Sequence, residues 1–288
     1  MNWDTDRLGP FPILHPGVTP SGFDSPSRLC SPENLSGTLL SGEGERLNWQ
    51  LRNRFYPKVG KGHIARTPFY AIRYAIDRFT EPGDLVLDPF IGSGTTGAEA
   101  ILQGRKVVGI ELEFPEIARA TLGHFDPSGD SWSLISGDSE IGLDEVPDGS
   151  ISLVNFSNPY QGRSESSCEK ETALPPGTPI RMKYQHTSST QFVRGGEYWR
   201  KMAAIQKKSC EKLKPGGHAV FVIKDLIKKF KVVPLHEQLA DMLPDDMEHV
   251  ETFLLEHYPP TLAMNSYIAM HKVRPPMEQI CPVFRKRG

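Results

Sequence analysis

The stretch GDLVLDPFIGSGTTGAEA, residues 83–100, decides how the chain is read. An apolar run, Leu85-Val86-Leu87, stops at Asp88. Pro89, Phe90 and Ile91 follow, then the turn Gly92-Ser93-Gly94, two threonines, and a helix-forming segment. A short apolar run bounded by turn residues and followed by a helical pattern is a strand–turn–helix unit. In open α/β sheets ligands sit beyond the carboxyl ends of the strands. Glycine lets the backbone approach a ligand closely, because no Cβ stands in the way. Gly92 and Gly94 are placed for that. Together with Gly97 they satisfy the bare G-x-G-x-x-G spacing, which is a weak signal alone. The flanks weigh against a dinucleotide: Asp-Pro-Phe stands between strand and turn. No Lys follows the turn, which excludes a phosphate-binding P-loop. An acid at the strand end repels a pyrophosphate and attracts a cation such as an α-ammonium group. The turn therefore favours an amino-acid-bearing ligand.

Strands and helices alternate outward from this unit. Upstream, TPFYAIRYAIDRF (67–79) carries Phe69, Ile72, Ala75, Ile76 and Phe79 at helical spacing. Thr67 is expected as its N-cap and Pro68 as its first helical residue. Downstream come a helix ended by Gly104, the strand KVVGIEL, a helix opened by Pro115, the strand SWSLISGD ending at Asp138, and the strand SISLVNFSNPY. A polar insertion, 161–195, precedes the helix EYWRKMAAIQKKSCEKL and the turn-and-strand PGGHAVFVIKD. A helix around PLHEQLADML and two late β-rich stretches, HVETFLLEHY and QICPVFRKR, complete the chain. This alternation predicts an α/β, doubly wound, mostly parallel Rossmann-like sheet with a late antiparallel strand. Residues 1–50, rich in Pro, Gly and Ser at their start, read as an irregular arm, and 51–288 as one catalytic domain.

Two further acids fit the cofactor reading. Glu111 ends the second strand about 20 residues past the turn, where a carboxylate can accept ribose hydroxyls. NAD sites use the same device. Asp138 ends the third strand. Each acid alone is an ordinary strand-end acid; three at successive strand ends point to one ligand.

The segment DPFIGSGTT (88–96) resembles the S-adenosyl-L-methionine (AdoMet) motif of the amino DNA methyltransferases, which make N4-methylcytosine or N6-methyladenine. It is especially similar to the subgroup whose motif reads DPFxGSGTT. The likeness covers roughly residues 55–160 well and 195–288 loosely. It implies that His63, Thr67 and Pro68 flank the methionine end of the cofactor. It also implies cofactor contacts from Asp88, Pro89, Phe90, Gly92, Gly94, Thr95 and Thr96, from Glu111 at the ribose, and from Asp138 at the adenine amino group. The resemblance brings a methyltransferase fold and AdoMet with it.

The same family's catalytic motif is matched by Ser157-Asn158-Pro159-Tyr160, at the end of the next strand. An exocyclic amine conjugated to a base ring is a poor nucleophile. It improves when acceptors hold its hydrogens and draw the nitrogen toward tetrahedral geometry. The resemblance gives these roles to the Ser157 side chain and the Asn158 backbone carbonyl, with Tyr160 stacking on the base. Asn158 replaces the usual first proline; its carbonyl survives, with a looser backbone. A shortened register, Asn158-Pro159-Tyr160, needs a deletion inside the motif. Ser at the first position tilts the reading to cytosine N4; N6-adenine methylation is the alternative. An RNA methyltransferase of the tRNA guanine-N2 type and an AdoMet-binding subunit without catalysis also stay open.

The implied partner is double-stranded DNA, with a companion restriction endonuclease as a further expected partner. From Arg181 to Lys231 thirteen Lys and Arg stand against three acids, although the whole chain carries a net charge of −2. That local excess is either a nucleic-acid footprint or a solvated helix face. Arg163, Arg181, Lys183, His186 and Arg194 make the insertion a candidate DNA-recognition loop. Four scattered cysteines without a CxxC pair favour neither disulfides nor a metal site. No run of 18 apolar residues and no secretory signal pattern are present, so a cytoplasmic protein without a membrane span is expected.

Overall fold

A computed structural model describes residues 39–40, 67–159, 170–174, 178–182, 195–228, 231–256 and 278–288. The first elements are β1 (Leu39–Leu40), α1 (Phe69–Phe79), β2 (Leu85–Asp88), α2 (Thr95–Leu102) and β3 (Lys106–Glu111). Next come α3 (Pro115–Phe125), β4 (Trp132–Ser136), the short α4 (Ser139–Gly142) and β5 (Ile151–Phe156). A hairpin of β6 (Lys170–Leu174) and β7 (Thr178–Met182) precedes α5 (Gly196–Lys212) and β8 (Leu213–Phe221). A second hairpin, β9 (Leu226–Lys228) and β10 (Lys231–Val233), leads to α6 (Leu235–Ala240), β11 (Met247–Glu256) and β12 (Glu278–Lys286).

The main sheet has eight strands in the order β1-β11-β12-β8-β5-β2-β3-β4. β5, β2, β3 and β4 run parallel, as do β5 and β8. β12 is antiparallel to both of its neighbours, β11 and β8. The order reverses between β5 and β2, since the chain builds β2-β3-β4 outward and then returns to lay β5 on the other side of β2. Ligands collect outside the carboxyl ends of the strands at such a reversal.

Strand periodicity explains the two covered faces. Val86 and Leu153 point to one side, into a core with Ile72, Ile76, Ala100, Ala118 and Leu122 of α1, α2 and α3. Leu87 and Val154 point to the other, into a core with Tyr198, Met202, Ile205, Leu235 and Leu239 of α5 and α6. All six residues of β5 are buried, as befits a strand covered on both faces. At Gly97 a Cβ would lie 2.2 Å from Leu122 Cδ2, so the third glycine of the turn exists to let α2 pack.

Two local expectations are corrected. The helix begins at Phe69 with Pro68 as N-cap and no side-chain capping bond. Thr67 is therefore one residue too early to cap it, and its hydroxyl is engaged elsewhere. The strand expected to run to Asp138 stops at Ser136, and Asp138 instead caps α4 by accepting from Glu140 N. The insertion, read as a loop, contains the β6–β7 hairpin, and the arm contains β1, which pairs parallel with β11. Among the described residues no helix is long and apolar enough to cross a membrane.

Candidate active site

The sequence pattern puts acids at strand ends, and the sheet brings those ends together. Asp88 ends β2, Glu111 ends β3, and Asp138 follows β4 by two residues. β2, β3 and β4 are consecutive neighbours, so at about 4.8 Å per strand the three acids step along roughly 10 Å of one sheet edge. On the other side of β2 lies β5, whose carboxyl end delivers Ser157, Asn158 and Pro159. The candidate cofactor residues and the candidate catalytic motif thus flank the reversal of strand order.

Asp88 is 2% exposed. Its Oδ1 accepts from Phe90 N at 2.8 Å, and its Oδ2 accepts from Thr96 Oγ1 and from Asn155 Nδ2. The first function of the acid is therefore to brace the turn. Burial pushes its carboxyl up to about 6, against the pull of Thr96, Phe90 N and Asn155, with the charge of Glu111 adding to the rise. Among the described residues no Lys or Arg forms an ion pair with Asp88. It is a buried carboxylate that a bound cation would stabilise.

Glu111 bridges two loops. Its Oε2 accepts from Gly92 N at 3.0 Å, and its Oε1 accepts from Glu113 N and Phe114 N at 3.0 and 3.1 Å. A carboxylate offers roughly four lone-pair sites. With three filled, about one is left for a ribose hydroxyl, so capture of both hydroxyls requires a backbone bond to open. The turn itself has Gly92 at φ 52 and Gly94 at φ 84, both left-handed. A Cβ at Gly94 would lie 3.1 Å from Thr121 Cβ, so α3 packing as well as the turn demands glycine there. Thr95 and Thr96 are buried in the first turn of α2, and Pro89 O accepts from Ser139 Oγ.

At the catalytic motif, Ser157 is half-buried and its Oγ lies 2.7 Å from Thr67 Oγ1. Asn158 is 7% exposed; its Nδ2 donates to Met202 Sδ at 3.5 Å, a weak acceptor, and its Oδ1 has no hydrogen-bond partner among the described residues. Pro159 O accepts from Tyr198 Oη at 2.8 Å, which fixes the exit of the motif. His63, Tyr160, Arg163, Lys183, His186 and Arg194 lie outside the described residues, as does the side chain of Arg181, whose backbone is in β7.

Three residues of this region were not anticipated. Asn155, 1% exposed in β5, donates to Asp88 and to Thr96 Oγ1, tying the catalytic strand to the cofactor turn. Its signal was a lone amide in an apolar strand. Lys201 of α5, 7% exposed, forms an ion pair with Asp138 Oδ2. Its signal was a cation on the stripe that carries Tyr198, Met202 and Ile205. Tyr198 was read only as a helix residue.

The basic excess is partly consumed inside the molecule. Besides Lys201, Arg200 pairs with Glu140, Lys208 with Asp144, Lys212 with Asp148 and Lys214 with Asp84. For these five cations the solvated-face reading holds better than a nucleic-acid footprint.

The family model "DNA methylase" of N6 and N4 enzymes matches residues 37–120, from β1 through the glycine turn and Glu111 into α3. That segment of the chain is similar to the amino DNA methyltransferases. Among relatives, the Escherichia coli DNA adenine methyltransferase YhdJ is 44% identical over 61 residues, covering 21% of each chain. The Haemophilus influenzae Type II methyltransferase M.HinfI is 35% identical over 111 residues, 36% of this chain and 30% of that one. The Citrobacter freundii Type II methyltransferase M.Cfr9I is 50% identical over 75 residues, 25% of this chain and 24% of that one. The chain thus spans less than a third of the length of these relatives. Of solved structures, Thermus thermophilus TrmN is 18% identical, covering 82% of this chain and 53% of that one at a TM-score of 0.49.

Proposed function

We propose that this amino methyltransferase chain binds AdoMet at the carboxyl edge of β2, β3 and β4 and methylates an exocyclic amine of a base in double-stranded DNA. The observation that carries the reading is the meeting of the Asp88–Glu111–Asp138 series with Ser157-Asn158-Pro159 on either side of the β5/β2 reversal. The residues fit the cofactor: Asp88 is a buried carboxylate awaiting a cation, as the α-ammonium group would supply. Asp138 is assigned to the adenine amino group and Glu111 to a ribose hydroxyl. His63, Thr67 and Pro68 remain assigned to the methionine end.

When bound, AdoMet supplies a methyl group on a sulfonium. The chain has to present the amine. A base inside a duplex cannot reach the site and must be extruded, at a cost of about a few kcal/mol. Tyr160 then stacks on it. Ser157 Oγ and the Asn158 carbonyl would accept the two amine hydrogens and leave the nitrogen lone pair facing a methyl group held on the sulfonium; the sulfonium would depart as a neutral thioether and one amine hydrogen as a proton. Lys and Arg of the 161–195 insertion hold phosphates, which positions the duplex without reading its sequence. Ser157 at the head of the motif favours cytosine N4. N6-adenine is the second reading, favoured by the name of the matched Escherichia coli protein. A companion restriction endonuclease and a cytoplasmic site of action are further parts of the proposal, supported by the Type II names of matched relatives.

Calorimetry with AdoMet and with NADH, followed by tritium transfer from labelled AdoMet to duplex DNA, tests the reading. AdoMet binding and labelled DNA are expected. NADH binding with no AdoMet signal would sink it.

A further inference from the structure

We infer that Tyr198 is a positioning residue for catalysis: its hydroxyl clamps the Pro159 carbonyl and so holds the Asn158 carbonyl, the second acceptor for the target amine, in place of the proline that the motif lacks at 158. This deepens the proposed methyltransferase function and rests on it.

Tyr198 Oη donates to Pro159 O at 2.8 Å. A carbonyl oxygen can only accept, so the bond has one sense. It joins the first turn of α5 to the chain just past β5, across 39 residues of sequence. Tyr198 is 1% exposed, and its ring meets the Trp199 ring edge-on at 5.0 Å between centroids. Three and four residues further on, the same helix makes two more contacts with the site. Lys201 pairs with Asp138, and Met202 Sδ accepts from Asn158 Nδ2. A helix fastened at these points is a rigid platform for the Tyr198 hydroxyl.

Backbone geometry explains why this motif needs such a clamp. Each residue has two soft dihedrals, φ and ψ, because the peptide between residues is planar. Pro159 removes two of the four around the Asn158 carbonyl. It restricts ψ of Asn158, the residue before it, and its ring locks its own φ at about −65°. Two are left: φ of Asn158, which a proline at that position would lock, and ψ of Pro159. The bond from Tyr198 fixes the Pro159 carbonyl, and with it ψ of Pro159. Because φ of Pro159 is locked and the peptide is planar, the anchor is carried back through stiff bonds to the Asn158 carbonyl. The clamp thus supplies from outside part of the rigidity that a proline at 158 supplies from within. Misplacement of an acceptor by about 1 Å costs on the order of 100-fold in rate, so the anchor bears on the chemical step.

Tyr198→Phe keeps the buried ring and removes the hydroxyl. It is made in the full chain, alone and together with Asn158→Pro. At saturating AdoMet, kcat and the DNA KM are read by transfer of labelled methyl to duplex DNA. AdoMet affinity is read by calorimetry, which also reports that each variant is folded. Tyr198→Phe alone is expected to lower kcat about tenfold. The lost bond lies at the motif and not at Asp88, Glu111 or Asp138, so AdoMet affinity should stay within about twofold. In the Asn158→Pro background the same change should cost less than about threefold, because the ring at 158 then stiffens the backbone from within. Equal losses in both backgrounds are what a merely structural role predicts. Such equal losses, a loss confined to AdoMet affinity, or wild-type kcat in Tyr198→Phe would each overturn the inference while leaving the function intact. So would an inactive Asn158→Pro protein that binds AdoMet, because the carbonyl would then not account for the role of Asn158. A wild-type chain that binds AdoMet and labels no DNA would overturn the function, and this inference with it.

Discussion

At the scale of single residues the proposed chemistry turns on Asp88 and on the Ser157-Asn158 pair. A cationic ligand binds the ionised form of Asp88, whose carboxyl burial holds at about 6. Below that pH the ligand must displace a proton first. AdoMet affinity should therefore fall about twofold from pH 7 to 6 and about fivefold more by pH 5. Titration calorimetry across that range checks it, and Asp88→Asn should bind weakly with a flat profile. At the motif, the Asn158 amide oxygen is buried without a partner among the described residues, an arrangement that costs about 1–3 kcal/mol. Asn158→Pro removes that group and keeps the carbonyl, so it should preserve or raise activity. Ser157→Ala should lower kcat while AdoMet affinity stays nearly unchanged. An inactive Asn158→Pro protein that still folds and binds AdoMet would show that the amide side chain takes part in the chemistry. Tyr160→Ala should weaken capture of the extruded base by about 1–3 kcal/mol.

Among elements, α1 and α2 are joined by a pair that no exposed surface explains. Arg73 Nε meets Glu99 Oε2 at 2.7 Å, with both side chains almost wholly buried. Removing Glu99 takes away the carboxylate 2.7 Å from the buried Arg73 guanidinium. Glu99→Ala should cost about 3–5 kcal/mol in urea unfolding, with a smaller loss if Arg73 is replaced by Met as well. Gly97→Ala should cost about 1–3 kcal/mol by forcing Leu122 aside. The elements themselves were largely legible, because strand–acid–glycine–helix is a local pattern that needs no knowledge of neighbours. The start of α1 was misread by one residue: Pro68 is its N-cap, and the Thr67 hydroxyl donates instead to Ser157 Oγ, ninety residues away. The β6–β7 hairpin was hidden for another reason: its strands, KETAL and TPIRM, lack the alternation of a half-buried sheet.

Seen as a whole molecule, the fold turns three strand-end acids and one strand-end motif into a single edge, and that juxtaposition follows from the strand order. The mostly parallel, doubly wound character of the sheet was readable from the alternation of elements; the strand order was not. The electrostatics were not. The thirteen basic residues between Arg181 and Lys231 suggested a field for nucleic acid, yet Arg200, Lys201, Lys208, Lys212 and Lys214 pair with acids from Asp84 to Asp148. Such pairing depends on where α5 lands. Neutralising Lys208 should therefore leave DNA affinity and its salt dependence nearly unchanged, whereas neutralising Arg163 or Lys183 should weaken DNA binding and lower the salt slope by about one. The most direct measurement of the central claim is the identity of the methylated atom. Duplex DNA is incubated with the chain and isotopically labelled AdoMet, then digested to nucleosides and resolved by mass spectrometry. Labelled N4-methyldeoxycytidine is the predicted product; N6-methyldeoxyadenosine would overturn the base assigned from Ser157, and label on RNA alone or on no nucleoside would contradict the account.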